Sequence, residues 1–251
     1  MFSEKKYYEV NREERHFGFL LFSELLNNDD FRNHIFELIN KKMRSFLKPH
    51  EFEIYTEVAA LRDYWNDLGN GKVYSPLTHQ KRYDVLNSIL SFFDYQDLDI
   101  DSTEIFWTTK NPETRKLWCP SSWNIKEIEA LKRKGKDLAP IRWCFNAKPD
   151  LMIDSPDCCV FIELKVESGI GRNQFGYDQK DTQEKISKMM KQLIPLYSNS
   201  QFFNTSLELE AKDGITWREV IEILNAFHRD NAAYNKVQNS LKQIFLRYYN
   251  K

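Results

Sequence analysis

The chain has 251 residues, 41% hydrophobic and 14% aromatic, which excludes a disordered polymer and supplies ample material for a buried core. Its 36 basic and 37 acidic residues leave a formal charge of -1. That balance excludes a global attraction to a polyanion, so any nucleic-acid contact must come from a local patch. No run of about 18 uncharged apolar residues occurs and the first residues lack an apolar signal core, so the expectation is a cytoplasmic protein with no membrane partner.

The first hundred residues read as helical. Asn11 is placed to cap a helix carrying Phe17, Leu20, Leu21 and Leu25, and Asp29 or Asp30 to cap a second carrying Phe31, Ile35, Leu38 and Ile39. A third helix is expected from about Glu53, and a fourth after Pro76 and Thr78, with Val85, Leu86, Ile89, Leu90 and Phe93 at helical spacing. Beyond Asp101 the pattern changes: Ile105 to Thr108 suggests a short strand and Trp123 to Lys134 a helix with a basic end. Three strands are then expected close together, over 141–146, 151–154 and 158–166, the last two joined by the turn residues Ser155, Pro156 and Asp157. A helix over about 180–196, a strand near 202–209 and two helices over 217–228 and 232–248 complete the reading. The fold class is α/β (α+β): a mixed central sheet flanked by helices, with a helical N-terminal extension. No linker or repeat divides it, so one compact domain over 1–251 is expected, helical to about 100, with its core over about 101–215 and C-terminal helices over about 216–251.

Chemistry concentrates around Lys148 to Gly169. Asp150 opens one expected strand, while Glu163 and Lys165 lie two apart on the next and so project from one sheet face. Two carboxylates and an ammonium at one place suit phosphodiester hydrolysis, which needs a hard divalent cation on oxygen ligands, an activated water and positive charge near the phosphate. A surface acid-base pair is the commoner explanation for charges on a strand. Val160, Phe161, Ile162, Leu164 and Val166 argue against it here, because they make both faces apolar, as in a central strand where unpartnered charges are costly.

Pro149-Asp150 followed by Glu163-Leu164-Lys165 resembles the signature of the PD-(D/E)xK, or restriction-endonuclease-like, nuclease superfamily. The stretches 53–65, 141–153 and 161–169 are also similar to segments of uncharacterised bacterial members. The resemblance implies an α-β-β-β-α-β core and Mg2+-dependent cleavage of DNA, less often RNA, with Mn2+ able to substitute. Asp150, Glu163 and Lys165 would form its centre, with Asp150 and Glu163 as metal ligands. Three other acid-x-Lys triplets, at Glu4, Asp178 and Glu210, and a second Pro-Asp at Pro156-Asp157 match the letters, but only Glu210 follows a strand.

In this superfamily an acid on the helix before the sheet often completes the metal site. Glu57, on an expected helical stripe with Ala60, Leu61, Tyr64 and Leu68, is the candidate third ligand, and Glu14 is its alternative. A glutamine on the helix after the active strand often reaches the phosphate or the attacking water. Gln183 is the candidate there, with Gln179 as a further substrate contact. The glycine-containing stretch from Ser168 to Lys180 places Arg172 where it could meet a phosphate.

Other chemistries find little support. Cys119, Cys144, Cys158 and Cys159 lack paired zinc spacing, the five histidines show no ligand spacing, and no phosphate loop is present, which excludes a self-contained motor. Two basic clusters, Lys41 to Lys48 and Lys132 to Lys136, are candidates to track a phosphate backbone, although a solvated helix end is the commoner explanation for each. The expected partners are nucleic acid, a second copy of the chain, or a partner protein in a defence system. The competing reading is a non-catalytic nucleic-acid-binding or protein-interaction subunit that retains the nuclease fold.

Overall fold

The protein was analysed as a computed structural model, which describes residues 14–68, 74–165, 178–208 and 214–227. It is a mixed α+β structure containing one five-stranded mixed sheet. Two compact units interleave along the chain rather than following the serial boundaries expected near 100 and 215. One comprises Met1–Glu57, Pro149–Gly171 and Ser200–Lys251, and the other Val58–Lys148 and Arg172–Asn199.

The first unit holds the sheet. Helix α1 (Glu14–Asn27) and helix α2 (Asp29–Met43) precede strand β1 (Glu53–Thr56). Asn28 is the N-cap of α2, its side chain accepting from Phe31 N, so the cap falls one residue before the acids expected to supply it. Strands β2 (Leu151–Ser155) and β3 (Cys158–Leu164) form a hairpin, and β4 (Gln201–Glu208) and β5 (Ile215–Thr216) complete the order β1-β2-β3-β4-β5 before helix α8 (Trp217–Phe227). The β1, β2 and β3 pairings are antiparallel; β3 with β4 and β4 with β5 are parallel. The chain therefore runs two helices and β1, then the helix-bearing stretch 60–146, then the antiparallel β2 and β3, a crossover, and β4 parallel to β3.

All seven residues of β3 are buried, as its apolar run suggested. Cys158, Val160, Ile162 and Leu164 join Leu151, Ile153 and Leu207 in a core with Phe17, Leu21 and Leu25 of α1, Ile35 and Ile39 of α2, and Val220 and Leu224 of α8. Burying each large aliphatic side chain contributes roughly 1.5–3 kcal/mol. Helix α1 approaches β3 so closely at Gly18 that a Cβ there would stand 2.5 Å from Leu164 Cδ1.

The second unit is helical: α3 (Ala60–Asp67), α4 (Pro76–Phe92), α5 (Ile125–Lys132), α6 (Ala139–Asn146) and α7 (Gln179–Leu193). Helix α7 packs against α3, α4 and α6, and Trp65 meets Phe145 edge-on at 6.3 Å.

Several expectations require correction. Residues 141–146 are helical, because Pro140 starts α6 and Ile141, Cys144 and Phe145 then share one buried helical face. The expected helix from Glu53 is instead β1 followed by α3. Ile54, Tyr55 and Thr56 suit an edge strand, and the stripe of Leu61 and Trp65 begins only at Ala60. Residues 104–106 form a 3-10 turn, with one isolated bridge between Trp107 and Leu117. The helix over 232–248 lies outside the described residues.

Candidate active site

The β2-β3 hairpin turns at Pro156-Asp157, where Asp157 adopts a φ of 63°, a left-handed conformation that aspartate tolerates. Its register pairs Leu151 with Ile162, and one step further places Asp150 beside Glu163. There the Asp150 carboxylate replaces the ladder carbonyl: its Oδ2 accepts the Leu164 N–H at 2.8 Å. A proline at 149 explains part of this arrangement, since it disfavours continued helix before it and has no N–H to extend the ladder.

Glu163 and Lys165 project away from the apolar core formed by Ile162 and Leu164, as strand alternation requires. Their side chains are only 10% and 11% exposed, with Lys165 Nζ 3.7 Å from Glu163 Oε2. That separation makes an ion contact rather than a good hydrogen bond, so the contact alone recovers only part of the cost of desolvating two charges. Phe161, on the same face, packs against Phe202 at 5.8 Å between ring centroids.

Glu57 joins this row by a route different from the one expected. It sits just after β1, on a bend and not on a helix, and its N–H points to Asp150 O at 3.4 Å. The β1-β2 register pairs Thr56 with Leu151, so Glu57 lies beside Asp150 as Asp150 lies beside Glu163. Its φ of 48° is left-handed, a conformation that costs a non-glycine residue about 1–2 kcal/mol. Such strain beside two acids is a physical reason to single out Glu57 that the sequence does not carry. Glu14 opens α1, the helix that precedes the sheet, but its side chain lies outside the described residues.

Across β4, Ser206 pairs with Glu163, and its Oγ donates to Glu208 Oε1. The row therefore runs Glu57, Asp150, Glu163, Ser206 over four strands. Ser206 and Glu208 escaped the sequence reading because a parallel register across a helical crossover leaves no local signature. Among the described residues, no group of three or more His, Cys, Asp or Glu converges to hold a metal ion. Asp150 and Glu163 still fit Mg2+ by donor chemistry, because that ion keeps several waters and binds through one or two carboxylates.

The remaining candidates belong to the helical unit. Gln183 is buried on α7, and its backbone carbonyl accepts from Ser187 Oγ at 2.9 Å. Gln179 is the first residue of α7, after the N-cap Asp178, and its side chain lies outside the described residues, as does the whole of Arg172. Asp178 is thus a helix cap, and the triplet at Glu210 lies outside the described residues. Both basic clusters are partly neutralised: Lys42 pairs with Glu219 at 2.9 Å, Lys48 with Glu51 at 3.6 Å, Lys132 with Asp137 at 2.7 Å and Lys136 with Asp97 at 2.5 Å.

The four cysteines are free thiols, three of them buried. Burial pushes Cys144 from 9.0 up to about 12, and Cys159 well above 9.0, so neither suits nucleophilic chemistry. No described helix is long and apolar enough to cross a membrane. No family model matches the chain, and no solved structure matches it.

Proposed function

We propose that the chain is a metal-dependent phosphodiesterase of the PD-(D/E)xK class that cleaves nucleic acid, DNA in preference to RNA. One observation carries this reading: Asp150 and Glu163 stand side by side across the hairpin at the end of the buried strand, with the Lys165 ammonium within 3.7 Å of Glu163. With the four helices between β1 and β2 set aside, the succession of α1 and α2, three antiparallel strands, α7 and the parallel β4 is compatible with the order that the sequence resemblance implies.

Asp150 and Glu163 would hold Mg2+ or Mn2+, with Glu57 contributing directly or through a water. When bound, the ion would polarise the scissile phosphate and lower the pKa of a coordinated water. Lys165 orients the attacking water and offsets the charge that accumulates on the phosphate oxygens. Gln183 and Gln179 are assigned to the water or phosphate, and Arg172 to the phosphate backbone.

Cleavage of DNA and RNA with Mg2+ and Mn2+, comparing the wild type with Lys165→Ala, tests the assignment. Metal-dependent cutting that Lys165→Ala abolishes supports it. A wild type that cuts neither polymer, or a variant that cuts normally, refutes it for the isolated chain. The paired basic clusters and the near-zero charge favour a second reading, in which a partner protein or a second copy supplies the grip on nucleic acid. Loss of metal binding in Asp150→Ala, in a chain inactive alone, selects that reading; equal titrations of both proteins point to a non-catalytic subunit.

A further inference from the structure

Lys165 lies one residue beyond the end of β3, where a strand ordinarily frays, yet its backbone is held on both sides. Its N–H donates to Leu207 O of β4 at 2.9 Å, and its carbonyl accepts the indole N–H of Trp217 at 3.1 Å. Trp217 is the first residue of α8, is 2% exposed, and meets Phe17 of α1 edge-on at 5.9 Å. A buried indole N–H needs an acceptor. Not every one here finds it: Trp123 Nε1 is buried with no partner. Satisfaction of Trp217 by the carbonyl of Lys165 is thus a specific arrangement and not an automatic result of burial.

We propose that Trp217 is a positioning residue for Lys165. The indole belongs to the apolar core and meets Lys165 at its backbone carbonyl. Fixing that carbonyl fixes the Cα from which the side chain reaches back to Glu163. Helix α8 thereby has a duty beyond closing the core. For cleavage the inference rests on the catalytic reading of Lys165; for geometry it stands without it.

The test uses the full chain with Trp217→Phe, which keeps an aromatic ring and deletes the donor. A second variant carries the benzothienyl isostere of tryptophan at 217, which keeps the shape of the indole and removes only the N–H. Acetylation of Lys165 by an amine-reactive reagent, resolved by peptide mass spectrometry without metal, reports how firmly the side chain is held, with the exposed Lys188 as internal reference. Loss of the anchor should speed labelling of Lys165 about fivefold and leave Lys188 unchanged. It should also lower kcat about tenfold with KM unaltered. Unchanged labelling of Lys165 in the folded isostere variant overturns the proposal, and so does faster labelling with an unchanged kcat in an enzyme that Lys165→Ala inactivates. If the wild type is inactive, or Lys165→Ala cuts normally, the catalytic reading falls while the labelling still decides the anchor. If Lys165→Ala is dead and the Trp217 variants label and cut like the wild type, the anchor falls and the catalytic reading stands.

Discussion

One side of β3 carries Cys158, Val160, Ile162 and Leu164 into an apolar core, whereas the other carries Cys159, Phe161 and Glu163, with Lys165 following. Both faces are buried, so their difference is one of composition and not of exposure. The apolar face contributes stability through close packing. The other accepts two charges whose mutual contact, at 3.7 Å, is too long to repay their desolvation alone. A strand selected only for stability would be apolar on both faces, and the departure falls on the face to which the proposed function assigns its chemistry.

The largest expected effect comes from making the two faces alike. Glu163→Leu with Lys165→Met should lower metal-dependent cleavage by about a thousandfold or more, and raise stability by about 1–4 kcal/mol in urea denaturation. A double variant that is less stable than the wild type would show that the charges hold the fold together, and the contrast between the faces would fail. On the apolar face, Ile162→Ala should cost about 2–5 kcal/mol in the same measurement and leave cleavage per folded molecule unchanged.

Adjacent thiols sample both faces. Burial raises Cys158, and raises Cys159 well above 9.0 with help from Asp154 and Cys158. A thiol whose folded pKa is raised contributes its full stability below the unfolded value and loses it as pH climbs toward the folded one. The unfolding free energy from urea denaturation should therefore fall as pH rises beyond 9.0, by up to about 1.4 kcal/mol per pH unit for each such thiol until its folded pKa is reached. Cys159→Ala should flatten that decline more than Cys158→Ala. Equal slopes would mean that both faces exclude the thiolate equally.

The smallest expected change in stability belongs to Glu57→Gly. Glycine adopts the left-handed φ of 48° without the steric cost that glutamate bears, but adds chain entropy when unfolded, so stability should shift by no more than about 1 kcal/mol. Cleavage should nonetheless fall, and a higher Mg2+ requirement should accompany the loss. If Glu57→Gly cuts with the wild-type metal dependence, Glu57 belongs to the fold alone.

These contrasts explain what the sequence could reveal. Strands β2 and β3 and the turn at Pro156-Asp157 were legible, because continuous apolar runs bounded by turn residues have few other solutions. Strand β1 was not. Its four residues are mostly exposed on one edge and blend into the helical pattern beginning at Ala60, so local periodicity favoured a single helix. Helix α6 was missed for the opposite reason: eight residues with three buried apolar positions read equally well as a strand until Pro140 is given weight. The spacing of Asp150, Glu163 and Lys165 was visible along the chain, whereas the positions of Ser206 and Trp217 depend on long-range pairing that no local pattern encodes.

The hairpin gives the candidate site an unusual kind of inheritance. Asp150 and Glu163 face one another only because two residues, Pro156 and Asp157, separate Ser155 from Cys158 in the register of β2 and β3. Sheet alternation has a period of two, so a slip of a single residue would send one partner to the opposite face while every amino acid was retained. Turn length is therefore part of the site's specification. Variation that preserves the acids and the lysine but alters that count would erase the alignment, and variation that preserves the count leaves the surrounding residues free to change.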